Sequence, residues 1–365
     1  MKAPAFMALG VIVVTFVGLA PAPAAAAAAS PAPATLQAGP AVDYAGLAFY
    51  PKRWQDRGLS TQLHPWPGER VIFFTTRTNF DSAVMARFVG RLDRAWKLYA
   101  DLTGRSPNAF KQFDGKPVIA AVPDAGLTCG YGCGYVGATG IEVGGFYDGD
   151  YPLFAAKTNA FPHYYCYEMG RNYYTFGDRH SLFVTGYAVF MRYVCMDALG
   201  CDDADLKTRK IIEEAEALHA KADLDFLRAF TSVAGLDEKA PRLRRPDGKP
   251  LQPSDQPVLY ASAMLKLRRD CGGDAWVKRF FAELVKCPKI KPDTRDAALR
   301  QSLNWFVAAS CAAQRDLSDV FVDRWRFPLA REARQALAQV KWTSPEADAV
   351  SVLKALPATM AEAGK

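Results

Sequence analysis

The chemistry this sequence offers centres on Glu168, in the run Tyr167-Glu168-Met169-Gly170-Arg171. On a helix, residues 167 and 171 lie one turn apart on one face with Glu168 beside them. Histidines at those two positions would hold a zinc ion and leave the glutamate to activate its bound water. Tyrosine and arginine stand there instead, and a guanidinium that stays cationic repels a metal. The acid is present without its metal pair, so no metal and no other cofactor is expected.

Carboxyl groups can also act alone in pairs: one protonates the leaving oxygen of a sugar bond while the other attacks or activates water, roughly 5 to 10 Å away. Glu168 lies among Tyr164, Tyr165, Tyr167, Tyr173 and Tyr174, rings that would exclude water and raise its pKa. Its candidate catalytic partners are Glu142, the first choice, and Asp148, with Asp150 and Asp178 as further acids. Arg171 supports two opposed roles, neutralising Glu168 or orienting an anionic group of a substrate. Tyr135, Tyr147, Tyr164 and Tyr167 are candidates to stack on sugar rings, and Asp178 and His180 to bind polar substrate groups. Each has a plainer alternative. At helical spacing Phe161, Tyr165 and Met169 form an apolar stripe, and His163 and His180 read as structural or surface histidines.

Other chemistries find less support. Residues 126 to 145 hold eight glycines, but no GxxxxGK[ST] follows, so the segment reads as sharp turns running close to a ligand or to the next element. No G-x-S-x-G is present, and Cys166, three residues after His163, reads as a bridged cysteine and not as a nucleophile. His64 and His219 join no cluster. The formal net charge is +7, with the basic residues spread along helical segments instead of forming a stripe, which excludes a nucleic-acid partner.

These residues need elements to carry them. Residues 71–74 read as a strand, Asp81 caps a helix to about Leu102, and Gly104 ends it. Residues 117–122 read as a second strand, and the glycine-rich piece as a turn and hairpin with an edge strand over 140–143. Two helices follow over 161–176 and 182–199. Helical periodicity then dominates over 207–230, 257–269, 275–285, 294–313, 317–325 and 330–341, with a proline-rich connection over 241–257.

The N-terminus has Lys2, an apolar run from Ala5 to Leu19 and an alanine-rich stretch to Ala29, the layout of a secretory signal over residues 1–29. Residues 30–68 read as a leader and N-terminal extension. Roughly 335 residues would remain, without an integral membrane segment. Eight cysteines in an exported chain imply up to four disulfides; Cys129 with Cys133 and Cys195 with Cys201 are near enough for local loops, and the pairing is otherwise open.

The order of strand, long helix, further strands, edge strand and Glu168 helix resembles the gluzincin metallopeptidases, in particular their secreted, glycoprotein-directed branch. Tyr167 to Asn172 is similar to that family's active-site helix, and Asp316-Leu317-Ser318-Asp319-Val320-Phe321 through Trp325 to a signature of its helical domain. The third metal ligand, a glutamate on the next helix, has no counterpart around Phe183-Val184-Thr185-Gly186-Tyr187. The resemblance implies an α+β fold: a zincin-like N-terminal half with a mixed sheet and active-site helix over 69–200, then a mainly helical half over 201–365. It also implies that Glu142 lines the same cleft as Glu168. The expected function is a secreted or periplasmic hydrolase of a glycan or related extracellular polymer, working by metal-independent carboxylate chemistry. The alternative is an inactive metallopeptidase homologue that binds cell-envelope or extracellular glycans or glycoproteins.

Overall fold

Alternation of buried side chains organises the N-terminal half. In β3 (Ile72–Thr75), Phe73 enters one hydrophobic core while Ile72 and Phe74 enter another. In β5 (Lys116–Ala121), Ile119 and Ala121 follow Phe73, and Val118 and Ala120 follow Ile72. A strand that is apolar on both faces must be covered on both. The computed structural model, which describes residues 35–177, 182–202, 206–222, 224–231 and 255–357, shows a sheet sandwiched in this way.

The strands are β1 (Val42–Asp43), β2 (Gln62–Pro67), β3, β4 (Gln112–Phe113), β5, β6 (Gly132–Gly134) and β7 (Ile141–Val143). Their order is β1-β2-β3-β5-β7-β6, with β4 paired to β5 off this path. β3, β5 and β7 run parallel, whereas β2 and β6 are antiparallel to their neighbours. The parallel pair β3–β5 is joined through α2 (Ser82–Thr103), as a parallel connection requires. Asp81 caps α2 by accepting from the backbone N–H groups of Ala83 and Val84, and Gly104, at φ 63°, closes it. From inside α2, the Asp93 carboxylate accepts from the N–H groups of Glu69, Arg70 and Val71, fixing the turn that launches β3.

Two expectations change here. The edge strand is β6; the stretch over 140–143 is β7, held between β5 and β6. Residues 42–67, read as extension, instead supply β1, α1 (Pro51–Asp56) and β2, and Tyr44, Trp54 and Leu63 bury themselves in the second core. That segment escapes the sequence reading because its strands are short and its β2 contains two prolines, which disfavour a strand except near an edge.

The second half is mainly helical. After α3 (Tyr151–Ala156) and α4 (His163–Tyr173) come α5 (Leu182–Ala198), α6 (Leu206–Lys221), α7 (Phe226–Phe230), α8 (Asp255–Asp270), α9 (Gly273–Leu284), α10 (Arg295–Ala313), α11 (Arg331–Ala338) and α12 (Ala349–Ala355). A single helix expected over 207–230 is thus two, α6 and α7. Glu216 and His219 of α6 are buried. The Glu216 carboxylate accepts from Arg324 Nε and Nη2 at 2.5 and 3.0 Å and from Trp325 Nε1 at 2.7 Å, so the 316–325 segment is anchored by one acid. Among the described residues no helix is long and apolar enough to cross a membrane. The proposed signal and most of the 241–257 connection lie outside those residues.

Candidate functional site

Glu168 belongs to α4, which starts after Pro162 and crosses α5 at Gly170, where an added Cβ would sit 3.0 Å from Ala188 Cα. The close crossing presses α4 against the sheet's edge. There the glycines at 132 and 134, two apart and therefore on one face of β6, make room for it. A Cβ at Gly134 would lie 2.7 Å from the Glu168 backbone oxygen and 2.9 Å from its Oε2, and one at Gly132 would lie 3.2 Å from its Cγ. The glycine-rich stretch thus accommodates the next element of the same chain. Gly134→Ala should cost ~1–3 kcal/mol through this collision with backbone, read as a lowered urea midpoint at unchanged slope.

Glu168 is 5% exposed. Burial pushes its carboxyl up to about 7, opposed first by the Arg171 guanidinium and then by the Gly134 N–H. Arg171 Nε lies 3.8 Å from Glu168 Oε2 and donates to the Gly134 carbonyl at 3.3 Å. The Gly134 N–H favours the ionised carboxyl without reaching full hydrogen-bond geometry, and Oε2 has no hydrogen-bond partner. Acid and base therefore straddle one backbone unit of the edge strand. Among the described residues no group of three His, Cys, Asp or Glu is placed to hold a metal.

Glu142 does not share this site. It pairs with Cys133 across the β6–β7 ladder, so it points to the face opposite Gly132 and Gly134, and hence opposite Glu168. Its neighbours Ile141 and Val143 enter the Glu168-side core, as alternation demands. Glu142 is fully buried; burial pushes its carboxyl up to about 7, opposed by the Phe49 N–H, which donates to Oε1 at 2.8 Å, by the Tyr44 hydroxyl and by Lys111. The expectation that these two acids line one cleft fails because the sheet lies between them. That layout was carried over from the resemblance, which could not supply the facing direction of residue 142.

The other candidates scatter. Asp148 is exposed in the π-turn over Phe146–Asp150. Asp150, by contrast, is buried and accepts from the hydroxyls of Tyr164 and Tyr165. Tyr147 uses its hydroxyl structurally, donating to the Ala121 carbonyl at 2.8 Å and accepting from the Thr76 N–H at 2.7 Å. Tyr167 packs partly buried against the main core. Tyr135 stacks on Phe49 with centroids 4.0 Å apart, and Tyr164 stacks on Tyr131 at 6.0 Å. Asp178 and His180 lie outside the described residues.

Among the described residues, two rings not singled out from the sequence are the most exposed: Tyr131 at 76% and Phe110 at 58%. Tyr131 directly precedes β6, and Phe110 packs edge-on against Tyr135, which directly follows it. Aromatic residues bracketing a Gly-x-Gly strand were the available signal. Of the eight cysteines, Cys129 and Cys133 are bridged, across the turn that carries Tyr131, and the other six are thiols.

No protein-family model matches the chain, and no curated protein matches it significantly. Two solved structures match the chain: a functionally unknown conserved protein from Bacillus anthracis str. Ames and a functionally unknown conserved protein mutant from the same organism. Each is 10% identical with a TM-score of 0.46, and they cover 78% and 79% of this chain. The chain spans 55% of the length of each, and at this level of similarity nothing is transferred from them.

Proposed function

We propose that the chain is an exported protein that binds an extracellular or cell-envelope glycan or glycoprotein without hydrolysing it, on a zincin-like scaffold whose metal position is replaced by Glu168 and Arg171. The observation that carries this reading is the placement of Glu168, 5% exposed and set with Arg171 around the Gly134 backbone. General acid catalysis needs the acid within hydrogen-bond reach of a substrate atom. Hydrolysis by paired carboxylates needs a second acid on the same side, and Glu142 lies across the sheet. The scaffold is supported by the succession β3, α2, β5, β6–β7, α4 and by the antiparallel edge strand beside the Glu168 helix.

Tyr131 and Phe110 supply the binding chemistry. Each shows an open ring to solvent while a second ring backs it, Tyr164 in one case and Tyr135 in the other. A ring held from behind stacks on a sugar with little loss of freedom. Lys111 Nζ, 5.0 Å from the Phe110 centroid, adds a cation beside the second platform.

The test is retention on insoluble cell-wall polysaccharide and on a mucin-type glycoprotein resin. The double substitution Tyr131→Ala, Phe110→Ala should weaken retention roughly tenfold or more, whereas Glu168→Gln should leave it within about twofold and no new reducing ends should appear. Release of reducing ends that Glu168→Gln abolishes would replace this reading with the hydrolase.

A further inference from the structure

Three thiols meet where α4, α5 and α2 pack together. Cys166 of α4 and Cys195 of α5 are buried, and their side chains interact. Cys201, on the bend after α5, lies beside both and accepts from Arg91 Nη1 of α2 at 3.4 Å. The placement follows from the helix crossing. Gly170 meets Ala188, Cys166 lies one turn before Gly170, and Cys195 lies two turns after Ala188. Two helices running in opposite senses bring these positions to the same end of the contact.

We propose that Cys166 and Cys195 are a disulfide in the exported protein, joining α4 to α5. The proposal rests on the export reading, because thiols persist in a reducing compartment and are oxidised outside it. Both cysteines are buried at the one α4–α5 crossing, the arrangement that a bridge between two helices requires.

The cluster does not read as a metal site or as a reactive thiol centre. Among the described residues no three ligating groups are arranged for a metal. Burial raises the Cys201 thiol to about 11, opposed by Arg91 and Arg94, and the interaction with Cys166 together with burial raises Cys195 far above its ordinary value. A thiol held protonated neither ligates nor attacks.

Oxidation therefore precedes closure of the core. The thiolate of one cysteine attacks the disulfide of an exported thiol–disulfide oxidant, giving a mixed disulfide and expelling one oxidant thiolate. The second cysteine then displaces the other oxidant sulfur. Two thiols lose two electrons and two protons, and the oxidant's disulfide becomes two thiols. The consequence reaches the candidate site, because Cys166 is two residues from Glu168 on the same helix.

The full chain is expressed with its own N-terminus in a host that exports it, denatured with an alkylating agent and without reductant, then digested and mapped by mass spectrometry. The expected result is a cross-linked Cys166–Cys195 peptide, with Cys201 fully alkylated. Alkylation of Cys166 and Cys195, or a bridge from either to Cys201, overturns the pairing when a parallel sample, refolded with oxidised glutathione, gives the same result. A Cys166–Cys195 bridge in the glutathione sample alone upholds the pairing and sinks the export reading instead.

Discussion

The protein should lose stability as the pH rises from about 5 to 8, and the double substitution Glu142→Gln, Glu168→Gln should remove most of that loss. Burial pushes both carboxyls up to about 7 from an ordinary 4.5. Between those values the folded chain keeps protons that the unfolded chain releases. The stability linked to each acid is thus complete below about 4.5 and lost as the pH climbs through 7. A shift of this size corresponds to ~3 kcal/mol per site. The facing charges moderate it: Arg171 at Glu168, and Lys111 with the Tyr44 hydroxyl and Phe49 N–H at Glu142.

His219 works in the opposite direction. Burial, with Arg326, holds its imidazole down to about 4 against an ordinary 6.5, so its contribution is present above 6.5 and lost as the pH falls through 4. Two acids outweigh one imidazole, and the net slope between about 4.5 and 6.5 is downward with rising pH. Urea unfolding at several pH values reads this directly. The glutamine variant should match the parent near pH 4.5 and exceed it by several kcal/mol at pH 8. Equal offsets at every pH would mean that both carboxyls are ionised throughout.

Glu216→Ala should destabilise the helical half. Its carboxylate holds Arg324 through two nitrogens and Trp325 through the indole N–H, and Arg324 and Trp325 pull the acid below its ordinary range against burial. Arg324 is exposed and would turn to water, but the buried indole N–H of Trp325 would be left without a partner, at a cost of ~1–3 kcal/mol. Trp325 also packs against Phe230, Trp305 and Phe321, so its near-ultraviolet dichroism should weaken together with the urea midpoint. Glu216→Gln keeps an acceptor for the indole and should lose less. A change below about 1 kcal/mol in the alanine variant would show that the network contributes little.

Much of the frame was legible because its signals are local. The Asp81 cap, the Gly104 stop and the three-to-four spacing of Val84, Phe88, Leu92, Ala95 and Tyr99 place α2 almost to the residue. The mixed sheet followed by a helical half emerges for the same reason. Facing direction was not legible. Whether Glu142 points toward α4 or away depends on the β6–β7 register, which a glycine-rich strand specifies weakly, and a shift of one residue would reverse it. Burial of Glu216 was hidden likewise, since its partners Arg324 and Trp325 lie about a hundred residues away in sequence. The significance of Gly132 and Gly134 needed α4 in place beside them.

A sheet normally ends in a row of open backbone groups that invites another strand. Here one end is a two-residue strand, Val42–Asp43, and at the other Glu168 and Arg171 of the chain's own helix attend the last strand at Gly134. Copies crowded together would meet little open ladder to extend, so this pair also guards against fibrous self-association.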